Sequence, residues 1–306
     1  MRFHQAILIS CEVPWDEREQ LLEDVFRAEV RHVLAQGFRD VYIFGTAGEG
    51  YAVDTARFRR VLEVFREETR GENVFPQVGV IGLSTAAVVE RLALAYDGGF
   101  RMFQISLPAW GALNDAEMAR FFRDVCGTFP DARFLHYNLG RSKRVLTTAD
   151  YRRIADEVPN LAATKNTGLT IHQTANLLRT VPELQHFLNE YMFPIGCLQG
   201  ECSMLSSLGP MLPARTQELF EYGRTGQVEK LFRLHAEYLR VAEDVLAPMR
   251  RREMMDGAYD KVLKRLSGVP MPLGLLSPYD SFPEEIYEEC RRILATHSAW
   301  TGRTSA

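Results

Sequence analysis

Eight times in this chain a short apolar segment is followed by a longer amphipathic one, and that repeat narrows the fold more than any other feature. Ala6–Ser10 leads to Glu17–Gln36, Val41–Phe44 to Asp54–Arg70, Phe75–Ile81 to Ser84–Tyr96, and Met102–Ser106 to Asp115–Cys126. Arg133–Asn138 leads to Thr148–Glu157, Leu161–Lys165 to Ile171–Thr180, Gln185–Glu190 to a short segment near Met192–Leu198, and Ser203–Ser206 to Pro213–Tyr222. Short apolar runs separated by helices read as strands of a parallel sheet. Eight such units predict an α/β protein, a (β/α)8 TIM barrel over residues 1–225. Asp54 or Thr55, and Ser84, are expected helix N-caps, because their side-chain oxygens can accept from the first free N–H groups. Beyond Gly226 the strands stop. Val228–Leu246, Arg252–Leu266 and Pro283–Ala295 predict a C-terminal helical appendix over residues 226–306.

Composition closes off several functions. The 306 residues are 46% hydrophobic, enough for a core of that size. The formal net charge is −4 and no basic stripe runs along the chain, so neither nucleic acid nor a membrane surface is an expected partner. Arg250-Arg251-Arg252 reads as a solvated helix face. No apolar stretch approaches the roughly 20 residues of a membrane span, and the apolar part of the N-terminus is too short for a signal peptide. Five scattered cysteines read as reduced thiols, so a cytoplasmic location is expected. Cys197 and Cys202 have no second pair, and the seven histidines show no metal-ligand spacing; no metal is expected. There is no Walker-type loop, and Gly45-Thr46-Ala47-Gly48-Glu49-Gly50 is not the dinucleotide fingerprint, which leaves a nicotinamide enzyme without support.

The chemistry of such a barrel sits where strands end. At the end of the sixth stands Lys165. Burying an ammonium without a partner is expensive, and a lysine so placed tends to lose its proton and become a nucleophile. Taken alone, Lys165 reads as a strand end with its amine in solvent. Taken alone, Tyr137 reads as a core tyrosine and Gly45–Gly50 as a tight turn. Together they form an amine-catalysis set: the amine attacks a carbonyl, the phenol moves protons, and the N–H groups of the turn hold a carboxylate. Ala163, two residues before Lys165 and on the same strand face, leaves room for a ligand.

Gly45-Thr46-Ala47-Gly48-Glu49, Tyr137-Asn138 and Lys165 with Gly168 resemble the motifs of the dihydrodipicolinate synthase / N-acetylneuraminate lyase family, in this order and spacing. The resemblance spans most of the chain and takes in Asp256-Gly257-Ala258-Tyr259 and Leu275-Leu276-Ser277-Pro278-Tyr279. It implies a (β/α)8 class I aldolase or lyase without a cofactor. Lys165 would form a Schiff base with a 2-oxo acid such as pyruvate, and Tyr137 would relay protons. The Thr46 hydroxyl would hydrogen-bond Tyr137, and the turn at Thr46, Ala47 and Gly48 would bind the substrate carboxylate. Leu205 falls where an aliphatic residue turns its carbonyl toward the substrate. A homo-oligomer, dimer or tetramer, is also implied.

Departures from the family pattern bear on the second substrate. Ala47 stands where a second hydroxyl is common. Trp110 stands where the synthases receive a proton-relay tyrosine from a neighbouring subunit. Ser142 replaces the arginine that binds the aldehyde's carboxylate, with Arg141 and Arg144 nearest. Gly140 replaces a proline, and Gly200-Glu201-Cys202-Ser203 departs from a glycine-rich patch. The expected function is therefore a Schiff-base lyase or aldolase on a 2-oxo acid, and not a lysine-biosynthesis synthase. Two readings compete: a dehydratase of a 2-keto-3-deoxy sugar acid using the same imine, and a catalytically silent barrel that binds a small acid.

Overall fold

The computed structural model describes residues 2–250 and 253–301. Its first half alternates β1 (Ile7–Ser10), α1 (Glu23–Ala35), β2 (Asp40–Ile43), α2 (Thr55–Glu68), β3 (Phe75–Gly79), α3 (Thr85–Asp97), β4 (Met102–Ile105) and α4 (Asp115–Thr128). The pattern continues through β5 (Arg133–Asn138), α5 (Thr148–Glu157), β6 (Leu161–Asn166), α6 (Ile171–Thr180), β7 (Gln185–Asn189), α7 (Phe193–Gly196), β8 (Ser203–Leu205) and α8 (Pro213–Arg224). Each strand pairs in parallel with the next, and β1 pairs with β8 through Ile7↔Met204 and Leu8↔Leu205, closing the barrel. The helices α9 (Val228–Leu246), α10 (Asp256–Ser267), α11 (Glu284–Thr296) and α12 (Ser298–Thr301) follow.

Local chemistry accounts for several helix starts. Asp54 accepts from the Arg57 N–H and Ser84 from the Ala87 N–H, as N-caps do. α1 begins six residues later than the periodicity predicts. Asp16 accepts from the N–H groups of Arg18 and Gln20, and Glu19 adopts a left-handed φ of 59°, so residues 16–20 form a turn instead. The predicted helix Arg252–Leu266 begins at Asp256; Arg251 and Arg252 lie outside the described residues, and Arg250 is exposed.

Leu8, Tyr42, Leu135, Ala163, Phe187 and Leu205 pack together inside the barrel, with Phe3 and Ala6 in the same cluster. A second cluster joins Met204 and Leu208 to Tyr238, Val241 and Val262, so α9 and α10 share an apolar core with the last strand and the loop after it.

The mouth is shaped by the loop after β2. Phe44 and Glu49 both adopt left-handed φ angles, 58° and 57°, which are uncommon for such side chains and fold the loop tightly. The turn needs glycine at its contacts: a Cβ on Gly50 or Gly79 would lie 2.1 Å from the Phe44 carbonyl oxygen. Arg91 of α3 clamps the loop by donating to the carbonyls of Gly50, Ile81 and Val53. From the other side Glu49, fully buried, meets the Lys261 ammonium of α10 at 2.6 Å and accepts from Trp15 Nε1 and the Leu276 N–H. A second buried pair, Glu29 and Lys264 at 3.1 Å, ties α1 to α10, and Lys264 also donates to the Ser10 carbonyl.

Removing one partner of a buried pair strands the other charge. Lys264→Met should therefore lower stability by about 3–5 kcal/mol, read from the urea-unfolding midpoint. Glu29→Leu combined with Lys264→Met should recover most of that loss. A double variant no more stable than the single one would show that the ion pair is not the origin of the effect.

Candidate active site

β6 carries only buried residues, Leu161 to Asn166, and their alternation divides the strand between two environments. Outside, Asn138 donates to Asn166 Oδ1, Asn166 donates to Thr164 Oγ1, and Thr164 meets His186 Nδ1 at 2.7 Å. This chain of polar contacts fixes the ends of β5, β6 and β7 against one another. Inside, Ala163 belongs to the interior cluster, and Lys165, beside Tyr137 in the register, lines a cavity at the barrel mouth. The small Ala163 leaves the lysine stem space above it.

Lys165 is 3% exposed. Its Nζ donates to the Tyr42 hydroxyl at 3.1 Å and lies 3.9 Å from the centroid of the Tyr137 ring and 4.7 Å from that of Tyr42. Ring faces and a hydroxyl give an ammonium partial compensation but no opposite charge. Burial dominates and lowers the amine pKa to about 8, against the raising fields of Asp256, Asp260 and Glu12. Tyr137 is pushed up to about 12 by burial and by Asp256, with a hydrogen bond to Thr167 acting the other way. At neutral pH it therefore keeps its proton.

The cavity is about 270 Å³. Thr46 and Ala47 form one wall; the loop's own hydrogen bonds run from Glu49 and Gly50 to the carbonyls of Thr46 and Gly45, and do not use the N–H groups of Thr46 and Ala47. Leu205 and Ser207 form another. Asp256 and Asp260 of α10 and Glu190 after β7 complete it. Among the described lining residues Lys165 is the only one with a basic nitrogen. A second pocket of about 420 Å³ shares Tyr137, Thr167 and Asp256 and adds Arg141. Arg141 is held by Asp256 through two contacts, at 2.8 and 3.3 Å.

A model of the dihydrodipicolinate synthetase family matches residues 4–297. The chain belongs to that family. It is 26% identical over 242 residues to the N-acetylneuraminate lyase of Salmonella typhimurium strain LT2, covering 78% of this chain and 80% of the lyase. Its fold is similar to that of YagE, an Escherichia coli K12 prophage protein solved with pyruvate (TM-score 0.84, 18% identity, 95% of this chain and 98% of that one). It is also similar to that of CdNal from Clostridium difficile, solved with mannosamine (TM-score 0.84, 15% identity, 96% and 99%). Dihydrodipicolinate synthase from Aquifex aeolicus superposes as well (TM-score 0.85, 16% identity, 98% and 100%). Members of the family are class I, Schiff-base aldolases and lyases acting on pyruvate.

Against this family pattern the structure gathers Lys165, Tyr137, Thr46, Ala47 and Leu205 around one cavity. Three of the expected residues lie outside the lining of this cavity. Gly48 does not line it; it packs on Phe44, where a Cβ would lie 2.9 Å from the backbone nitrogen. Trp110 is 82% exposed and contributes nothing to the cavity of its own chain. Arg141 faces the adjoining pocket and is already paired. No hydrogen bond joins Thr46 to Tyr137 among the described residues; Thr167 acts on that hydroxyl instead. Sequence reasoning missed Tyr42, Thr167, Asp256 and Asp260. The last two stand four apart on one helix, a spacing that places both on one face, and Asp256 lay inside a motif of the family resemblance.

The amine should titrate near its lowered pKa. Below about 8 its neutral fraction falls ~tenfold per pH unit, so borohydride trapping with excess pyruvate should slow by that factor and level off above. A trapping profile still climbing toward pH ~10 would mean the amine is solvated.

Proposed function

We propose that this chain is a Schiff-base lyase or aldolase acting on a 2-oxo acid, with Lys165 as nucleophile. The observation that supports this best is a buried lysine with no carboxylate among the described residues in ion-pair contact, opening into a cavity beside a protonated tyrosine. The neutral amine attacks C2 of the 2-oxo acid. Tyr137 gives its proton to the developing oxyanion and takes one from the nitrogen, which leaves a carbinolamine and the phenol restored. The N–H groups of Thr46 and Ala47 hold the carboxylate, with the Thr46 hydroxyl beside them. The carbinolamine hydroxyl takes up one proton and leaves as water with the C2–O electron pair, and the nitrogen lone pair completes the iminium. Its nitrogen accepts the electron pair released when the C3–C4 bond breaks, or, in the reverse sense, the enamine attacks an aldehyde. The family resemblance and the match to an N-acetylneuraminate lyase support the same reading. The second substrate remains an aldehyde without an arginine to receive a carboxylate, since Arg141 is engaged by Asp256.

A cytoplasmic homo-oligomer goes with this reading. An indole as exposed as Trp110, beside the mouth, is a surface a second copy would cover. Light scattering should give at least a dimer; a single-chain mass would refute it.

Incubation with pyruvate and borohydride should leave a reduced pyruvyl adduct on Lys165, seen by intact-mass and peptide analysis, and Lys165→Ala should carry none. Tyr137→Phe should still be labelled but turn over ~10²–10⁴-fold more slowly. Labelling of Lys165→Ala to the wild-type extent would sink the assignment. With candidate sugar acids, two fragments indicate the aldolase and loss of water alone the dehydratase.

A further inference from the structure

The steps above use Tyr137 as the one proton carrier and leave idle the most deeply buried carboxyl lining the cavity on α10. Asp260 is 6% exposed and lines the same cavity as Lys165, Tyr137 and Leu205. One helical turn earlier Asp256 lines it too, but Asp256 is engaged by Arg141. No basic side chain among the described residues forms an ion pair with Asp260. The two lysines that follow it on α10 are committed elsewhere, Lys261 to Glu49 and Lys264 to Glu29.

The groups around Asp260 come from several elements. Glu12, after β1, is fully buried and presents a second carboxyl. Ser207, after β8, lines the same cavity, and its side chain is a lowering influence on the Asp260 carboxyl. Lys165, Tyr42 and Tyr137 stand on β6, β2 and β5, and Glu190 follows β7. Burial and the Glu12 charge both raise the Asp260 pKa well above the usual carboxylate range, while Ser207 and Lys264 oppose them weakly. Glu12 is itself raised to about 7, chiefly by burial. The cavity thus holds an amine that loses its proton more readily than a solvated lysine and an acid that keeps its proton more readily than a solvated carboxyl.

We propose that Asp260 is a second proton-transfer residue of this cavity, giving its carboxyl proton to the hydroxyl that leaves the carbinolamine on Lys165. The proposal rests on the reading of Lys165 as nucleophile. In the step, the O–H bond of Asp260 breaks as its proton joins the carbinolamine hydroxyl. The C2–O bond then breaks with its electron pair leaving as water, and the nitrogen lone pair becomes the second bond of C=N. One neutral acid and one neutral carbinolamine become a carboxylate, an iminium and water, so charge is conserved. The cation would otherwise arise unpaired in a buried site, which is costly; Asp260 supplies its counter-charge in the same step. When C3–C4 cleavage discharges the iminium into the enamine, the carboxylate recovers a proton as the C4 hydroxyl gives one up.

The test compares wild type, Asp260→Asn, Asp260→Ser and Asp260→Glu in borohydride trapping with pyruvate, with near-ultraviolet circular dichroism as the check on folding. At saturating pyruvate the trapping rate of Asp260→Asn should fall ~10²–10⁴-fold, while the pyruvate concentration for half-maximal rate moves less than about threefold. Asp260→Glu, which keeps an acid, should recover part of the rate. If Asp260→Asn does not fold, Asp260→Ser gives the same reading, since its hydroxyl keeps a hydrogen-bonding group at the position but cannot act as the acid. Trapping of either folded variant at the wild-type rate overturns the role of Asp260 and leaves Lys165 in place. No adduct on wild type overturns both.

Discussion

A carboxylate and an ammonium buried against each other, Glu49 and Lys261, decide the shape of the barrel mouth. Both are fully buried and 2.6 Å apart. Either alone would cost several kcal/mol, so the fold is stable only where both are brought together. That requirement ties the loop after β2 to a helix more than 200 residues later in the chain. It fixes the Thr46–Ala47 backbone from behind, and it sets α10 so close that a Cβ on Gly257 would lie 2.7 Å from the Ala47 carbonyl oxygen. Asp256, Asp260 and Leu263 reach the cavity as a consequence. α10 is thus a wall of the site as well as a part of the C-terminal helical core.

The same dry interior produces opposite behaviour in lysines that lie near one another. Burial is the largest single influence on Lys264 and lowers its pKa, but the fields of Glu29, Cys11 and Glu12 together with the Glu29 contact outweigh it, so its pKa rises. Lys165 has a hydroxyl and two ring faces, and its pKa falls to about 8. A contacting carboxylate alone does not decide the direction, since Lys261, fully buried against Glu49, is also lowered, chiefly by burial; the number of acidic groups around the amine matters as well. Tyr42 matters for this reason. It accepts a hydrogen bond from Lys165 and holds the amine in place without supplying the negative charge that would keep it protonated.

The fold was legible because its signal is repeated. Eight short apolar runs, each followed by a helical period, leave few alternatives even when single boundaries slip, as at Glu17, where an Asx turn at Asp16 displaces the helix start. Lys165, Tyr137 and Thr46 were legible because they stand at strand ends, where sequence order maps directly onto the mouth. Tyr42 was not. It lies within a strand, and an apolar strand interior says nothing about which aromatic ring turns toward a lysine more than 120 residues away. Asp256 and Asp260 escaped for another reason: an acid on an amphipathic helix reads as a solvated face until tertiary packing shows that the face is buried. The expected Thr46–Tyr137 bond is absent among the described residues, on geometry finer than any motif resolves, although both side chains line the one cavity.

The departures from the family pattern acquire a physical meaning once their contacts are known. Ser142, in the place of a carboxylate-binding arginine, is buried and donates to the Leu139 carbonyl, so it is part of a turn. Arg144 is used up by Asp115, Asp150 and the Leu113 carbonyl. Arg141 is held by Asp256 at the junction of the two pockets. A carboxylate on the second substrate would have to displace Asp256 from Arg141 and then lie against the displaced acid. A neutral, hydrogen-bonding aldehyde meets no such obstacle, because Asp256, Ser207 and Asn189 can each exchange hydrogen bonds with it and leave the arginine paired. On the proposed reading, the half of the cavity around Lys165 would take the 2-oxo acid, and discrimination would fall to the half built from α10 and the loops after β7 and β8.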